Sequence, residues 1–247
     1  MTAIKTENLR KEYRDIVAVD GLNLEIEEGE LFSLLGVNGA GKTTTIKMLT
    51  TLTKPTSGNA FILGNSILTG EEKVKELVDV SMQETAVARN LTVEENIEFY
   101  AKLSGQSEEE TEKTKNYVYS AFSLKEVAKK RAATLSGGWQ RKLSIALALV
   151  TKPKVLFLDE PTLGLDVIAR RELWKTISAL KGKMTIVLTT HYMEEAEALS
   201  DRIGIMVGGK LVFIGTKEEL FAKTAENTVE NAFIKIVSGG EENEGIF

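Results

Sequence analysis

The run Gly36-Val37-Asn38-Gly39-Ala40-Gly41-Lys42-Thr43-Thr44 constrains this chain more than any other segment. Its spacing is G-x-x-x-x-G-K-[ST], a loop whose glycines let the backbone bend around phosphate and aim its N–H groups inward. Such a loop works only between a strand and a helix. The strand fixes its entry, and the positive end of the helix dipole faces the anion. Leu31 to Leu35 is a short apolar run immediately before it, and Ile46 to Leu52 reads as helix after it. On this reading Gly36, Asn38, Gly39, Ala40, Gly41 and Thr44 cradle the phosphates of ATP. Lys42 neutralises the β- and γ-phosphates, and the Thr43 hydroxyl binds Mg²⁺.

Other short apolar runs repeat the pattern. Val155 to Leu158 is followed by two acids, and Thr185 to Thr190 is strand-like. Runs of this length suit buried parallel strands, and their alternation with helical segments predicts an α/β fold. Two regions depart from it. Ile4 to Leu9, Ile16 to Val19 and Leu22 to Ile26 read as antiparallel strands of a small β lobe. From Thr92 to Thr134 the signal is helical, with capping boxes at Thr92/Glu95 and Ser107/Glu110 and one apolar face through Val93, Ile97 and Tyr100. Val207-Gly208-Gly209-Lys210 reads as a tight hairpin, and Thr216 with Glu219 caps a short helix. Val229, Ala232, Phe233, Ile236 and Val237 share one helix face, and Ser238 to Phe247 read as a frayed tail.

Composition narrows the function. With 31 basic and 36 acidic residues the net charge is -5, a poor match to a nucleic-acid backbone. There is no cysteine, so disulfides, thiol catalysis and thiolate metal sites are excluded. The polar start, Met1 to Arg10, lacks a signal pattern, and the longest apolar stretches, such as Ile145 to Val150, fall short of the roughly 20 residues of a membrane helix. The expectation is a soluble chain that depends on another polypeptide for any membrane span.

Leu156-Phe157-Leu158-Asp159-Glu160 puts two carboxylates at the carboxyl end of a buried strand, the edge where open α/β sheets bind ligands. Beside a phosphate loop, Asp159 would hold Mg²⁺ with Thr43, leaving Glu160 to polarise an attacking water. The bland alternative is a strand end carrying two solvated acids. His191, the only histidine, follows the strand-like run ending at Thr190. There it would reach the γ-phosphate or the attacking water, although a lone histidine in isolation reads more readily as a cap or surface residue.

Leu135-Ser136-Gly137-Gly138-Trp139-Gln140, ahead of LFLDEPT, narrows the reading further. Together with the phosphate loop these motifs resemble the nucleotide-binding subunit of an ATP-binding cassette transporter, from Met1 to Phe221. The resemblance implies a P-loop NTPase (RecA-like) core with a small antiparallel β lobe and an inserted α-helical lobe. It makes residues 1–223 one nucleotide-binding unit, its helical lobe at about 84–134, and leaves 224–247 as an amphipathic helix and flexible tail. It places Tyr13 on the adenine ring and Gln83 at Mg²⁺ and the attacking water. It sets Ser136, Gly137 and Gly138 against the γ-phosphate bound by a second subunit. Asp166 falls in the loop joining the two sites, and His191 becomes the switch histidine. Met82, Trp139 and Val167 depart from the family pattern without touching a phosphate ligand.

The implied partners are a second copy or a paralogous ATPase subunit, head to tail, and a separate membrane permease; nucleic acid is not among them. The implied place is the cytoplasm, at the inner face of the cell membrane, and the implied task is powering an exporter. The alternatives are a soluble cassette ATPase serving, for example, iron–sulfur cluster assembly, and a nucleotide-gated module in which hydrolysis is incidental.

Overall fold

The computed structural model describes residues 1–241. Along the chain lie β1 (Thr2–Tyr13), β2 (Ile16–Glu27), β3 (Leu31–Leu35), α1 (Lys42–Leu49), β4 (Ser57–Ile62), β5 (Asn65–Ser66), α2 (Glu71–Leu77) and β6 (Val78–Ser81). Then come α3 (Val93–Leu103), α4 (Glu108–Phe122), two 3₁₀ turns, α5 (Gly137–Val150), β7 (Val155–Asp159), α6 (Val167–Ser178) and β8 (Thr185–Thr190). The chain continues through α7 (Met193–Leu199), β9 (Arg202–Val207), β10 (Lys210–Gly215), α8 (Lys217–Thr224) and α9 (Val229–Glu241).

Two sheets organise these elements. A six-stranded sheet runs β10-β9-β3-β8-β7-β6, parallel from β9 to β6 with β10 antiparallel at one edge. A four-stranded antiparallel sheet runs β2-β1-β4-β5. The strands β3, β7 and β8 are buried along their whole length. Side chains alternate between the two faces of a strand, so each strand feeds two cores. Leu156, Leu158, Ile186 and Leu188 pack with α5 and the helical segment around Ile97, Val118 and Phe122. Val155, Phe157, Phe32 and Val187 pack with Ile46 and Met48 of α1 and with Ile4, Leu24 and Ile26 of the antiparallel sheet. A third core joins Ile203, Ile205 and Phe213 to Val229, Ala232 and Phe233 of α9.

Both capping boxes of the helical segment close as expected, as does that of Thr216 and Glu219. Three boundaries differ from the sequence reading. The helix after the phosphate loop starts at Lys42, four residues before the apolar periodicity, because its first turn is turned to the cleft rather than the core. It stops at Leu49 because Thr51 takes a left-handed conformation (φ 60°). The two runs Ile16 to Val19 and Leu22 to Ile26 form one strand, which passes through Gly21 at φ 64° where the β1 register shifts. At the other end α9 runs on to Glu241, carried by Ile236 and Val237 against the third core, so Ser238 begins no frayed tail. Residues 242–247 of that expected tail lie outside the described residues.

Candidate active site

Because β6, β7, β8 and β3 run in one direction, their carboxyl ends meet at a single edge. Four segments leave that edge: the phosphate loop after β3, Gln83 after β6, Glu160 after β7 and His191 after β8. They line one cleft of about 590 Å³ with Tyr13, Ala18 and Leu163. The loop contributes Asn38, Gly39, Ala40, Gly41, Lys42, Thr43 and Thr44 to it.

Two of the loop's glycines are required by contact, and one of these by conformation as well. A Cβ on Gly36 would come within 2.5 Å of the Met206 carbonyl. Gly41 has φ +103°, and a Cβ there would lie 2.3 Å from the Ala18 carbonyl. Gly41 also occupies the cap position of α1 and offers no side-chain acceptor, so the first-turn N–H groups of α1 keep their capacity for an anion.

The charged groups interlock. Lys42 is buried; its Nζ donates to the carbonyls of Gly36 (2.7 Å) and Val37 (3.2 Å) and lies 3.2 Å from Glu160 Oε1. The other carboxylate oxygen of Glu160 is 2.7 Å from His191 Nδ1. The Glu160 backbone sits in the left-handed region at φ 49°, with its N–H donating to the carbonyl and hydroxyl of Thr189, each at 3.1 Å. This rotation takes its side chain away from the line of β7 toward Lys42 and His191.

Asp159 is fully buried. Its Oδ1 accepts from the hydroxyls of Thr189 (2.6 Å) and Thr43 (3.1 Å), while Oδ2 has no partner among the described residues. An unpartnered carboxylate oxygen beside a hydroxyl fits a hard cation. The described residues contain no group of three or more His, Cys, Asp or Glu able to hold a metal.

Sequence reasoning missed Arg141. It is 4% exposed and satisfies four carbonyls: Nε donates to Pro161 (2.8 Å), Nη1 to Met82 (2.6 Å) and Gln83 (3.2 Å), and Nη2 to Asp159 (2.6 Å). Burial lowers its guanidinium to about 10, against the pull of Asp159, Glu195 and Glu160. Thus one side chain of α5 ties the segments carrying Gln83 and Glu160. The only hint in sequence was a charge just ahead of the apolar run Ile145 to Val150. Glu195 was missed too. It is fully buried, accepts from Thr162 (2.9 Å) and Trp174 (2.9 Å), and burial raises its carboxyl.

Six of the expected site residues do not line this cleft: Gly36 and Asp159 adjoin its lining residues, and Ser136, Gly137, Gly138 and Asp166 lie elsewhere. Ser136 is exposed at the start of α5, and its hydroxyl caps nothing in its own helix. Gly137 and Gly138 form the first turn of α5; a Cβ on Gly138 would lie 3.2 Å from Ala169 of α6. Asp166 caps α6, accepting from the N–H groups of Ile168 (2.9 Å) and Ala169 (3.0 Å). Trp139 packs on the first core under Lys142, which lies 4.8 Å from the ring centroid and pairs with Glu172 of α6.

Comparison with known proteins agrees with this architecture. Residues 19–163 match the ABC transporter family. The chain is 38% identical over 242 residues to a probable multidrug ABC transporter ATP-binding protein, YbhF, of Escherichia coli, covering 96% of this chain and 42% of that protein. It is 39% identical over 227 residues to the linearmycin resistance ATP-binding protein LnrL of Bacillus subtilis, covering 92% and 73%. Among solved structures it matches a dimeric ATP-binding cassette in a post-hydrolysis state bound to ADP and Pi, with a TM-score of 0.77, 26% identity, and coverage of 86% of this chain and 98% of that one. The chain thus spans about two fifths of one curated relative and about three quarters of the other. No helix among the described residues is long and apolar enough to cross a membrane. A phosphate loop, an acid pair and a histidine gathered at one sheet edge, with this family match across more than half its length, make the chain a member of the ATP-binding cassette transporter family, an ATP-binding ATPase cassette.

Proposed function

We propose that this cassette hydrolyses ATP as one half of a head-to-tail pair and passes the resulting closure and opening to a separate membrane permease of the exporter type. The observation that carries the reading is the placement of Glu160, held between Lys42 and His191 at the mouth of the phosphate loop. A carboxylate so held is positioned to accept a proton from water attacking the γ-phosphate. His191, on the far side of Glu160 from Lys42, orients it and shares the developing charge. Tyr13 offers a ring face to adenine. Asp159, Thr43 and Gln83 would hold Mg²⁺, which when bound supplies charge neutralisation for the transferring phosphoryl group.

The case for a pair rests on Ser136. Its hydroxyl is exposed, its own helix leaves it unused, and it lies outside the cleft with Gly137 and Gly138. Those donors face outward, ready for the γ-phosphate of a second copy, with the neighbouring Asp166 loop between the two sites. Exposed apolar residues on both surfaces, Val167 and Ile168 beside Asp166 and Val37 in the phosphate loop, would be covered in the same closure. Export as the task is supported by the relatives named above, whose names describe a multidrug transporter and linearmycin resistance, and the inner face of the membrane as the place goes with the permease proposed here.

Glu160→Gln tests the reading. Hydrolysis should fall at least about 100-fold while ATP still binds, and the variant should accumulate as an ATP-dependent dimer in size-exclusion chromatography with light scattering. Turnover at the wild-type rate would remove Glu160 from the mechanism. A Ser136→Ala, Gly137→Val variant that hydrolyses ATP normally would remove the second copy.

A further inference from the structure

Two contacts beside the cleft are not used by the chemistry proposed above. The ring of Tyr192 lies 4.1 Å from that of His191, centroid to centroid, at an interplanar angle of 39°. The guanidinium of Arg170 lies 4.3 Å from the Tyr192 centroid. Glu160, His191, Tyr192 and Arg170 therefore form a continuous line of contacts leading from the cleft to α6.

Arg170 and Tyr192 are each anchored through their backbone. Arg170 lies one turn into α6, and its N–H donates to the carbonyl of Asp166 at 2.9 Å. Its Nε is buried and makes no hydrogen bond among the described residues, so what faces that part of the guanidinium is packing rather than an acceptor. Tyr192 stands at the cap position of α7. Its N–H donates to the Thr190 hydroxyl at 2.9 Å, and its carbonyl accepts from Glu195 and Ala196. The ring between them is therefore carried by fixed backbone on both sides.

The imidazole has much less to hold it. Its side chain is 28% exposed, and its polar contact among the described residues is the one from Nδ1 to Glu160. A ring with a single hydrogen bond can pivot about that bond, and a small misplacement of a reacting group is expensive in rate. A second ring tilted against it at 4.1 Å restricts the pivot, and a cation over that second ring holds the ring in place.

We propose that Tyr192 and Arg170 are positioning residues for His191, so that the angle of the imidazole follows the start of α6, where Asp166 sits. In a paired cassette the Asp166 loop would then set the partner-dependent alignment of the histidine in its own chain. This rests on the roles given above to Glu160 and His191.

Steady-state kcat and KM for ATP decide it, measured on the full chain for Y192A, Y192F, R170M and R170K, each with and without H191A. Y192A is expected to lower kcat about 3- to 10-fold with KM within about 2-fold, and Y192F to restore most of the loss. R170M should lower kcat about 2- to 5-fold, with partial rescue in R170K. In the H191A background the same changes should alter the residual rate less than about 2-fold, because the stack then has nothing to align. Equal losses with and without His191, or no loss in Y192A, overturn the proposal. If H191A alone turns over at the wild-type rate, the assignment of the histidine itself fails, and this inference with it. Should Y192A not fold, the R170M and R170K pair carries the same decision, since it leaves the ring in place.

Discussion

Gly41 combines a backbone angle that L side chains rarely adopt with a neighbour that leaves no room for a methyl group. Gly41→Ala should cost at least about 2 kcal/mol and abolish ATP binding, read from the denaturation midpoint and a fluorescent-nucleotide titration. The demand is local, which is why it could be read from a run of adjacent letters. Glu195 is different, because its surroundings come from Thr162, Trp174 and Thr190 on separate elements. Burial raises its carboxyl above the usual 4.5, so the folded chain keeps a proton that the unfolded chain has lost. The native state then binds more protons than the unfolded state. Stability from this group is fully present below the ordinary carboxylate pKa and declines as pH rises toward the raised value. Glu195→Gln should remove that decline, giving a melting temperature that changes less than in the parent chain as pH rises above the ordinary carboxylate range.

At the scale of elements, helix ends were the most legible feature. The boxes at Thr92, Ser107 and Thr216 need only two side chains three residues apart, and all three close. Asp166 shows what such local reading leaves out. The sequence marks it through the family pattern, while the structure gives it two hydrogen bonds at the start of α6. Asp166→Ala should cost about 1 kcal/mol of stability, and Asp166→Ser should recover most of it, since serine caps comparably. If the loop also reports between paired cassettes, the serine variant will restore the melting temperature without restoring ATPase activity. Strand runs were legible wherever burial is complete, as in β3, β7 and β8. The continuity of β2 was not, because Gly21 interrupts its alternation where the register shifts.

Across the whole molecule, α5 and the nucleotide cleft are joined by Arg141, whose four carbonyl partners are Met82 and Gln83 just after β6, Asp159 at the end of β7 and Pro161 in the turn after it. No spacing rule links residues so far apart in sequence, so the contact was invisible until the sheet order was known. Arg141→Met would leave those carbonyls buried and unsatisfied. The expected loss is about 3 to 5 kcal/mol, with faster amide hydrogen exchange around Gln83 than around β3. The same sheet edge holds Glu160 in a left-handed backbone conformation that only glycine and asparagine adopt at little cost. Glu160 therefore carries a conformational cost at the centre of the chemistry. A library selected for heat resistance alone should drift at position 160 toward glycine or asparagine, and the survivors would melt later and no longer turn over.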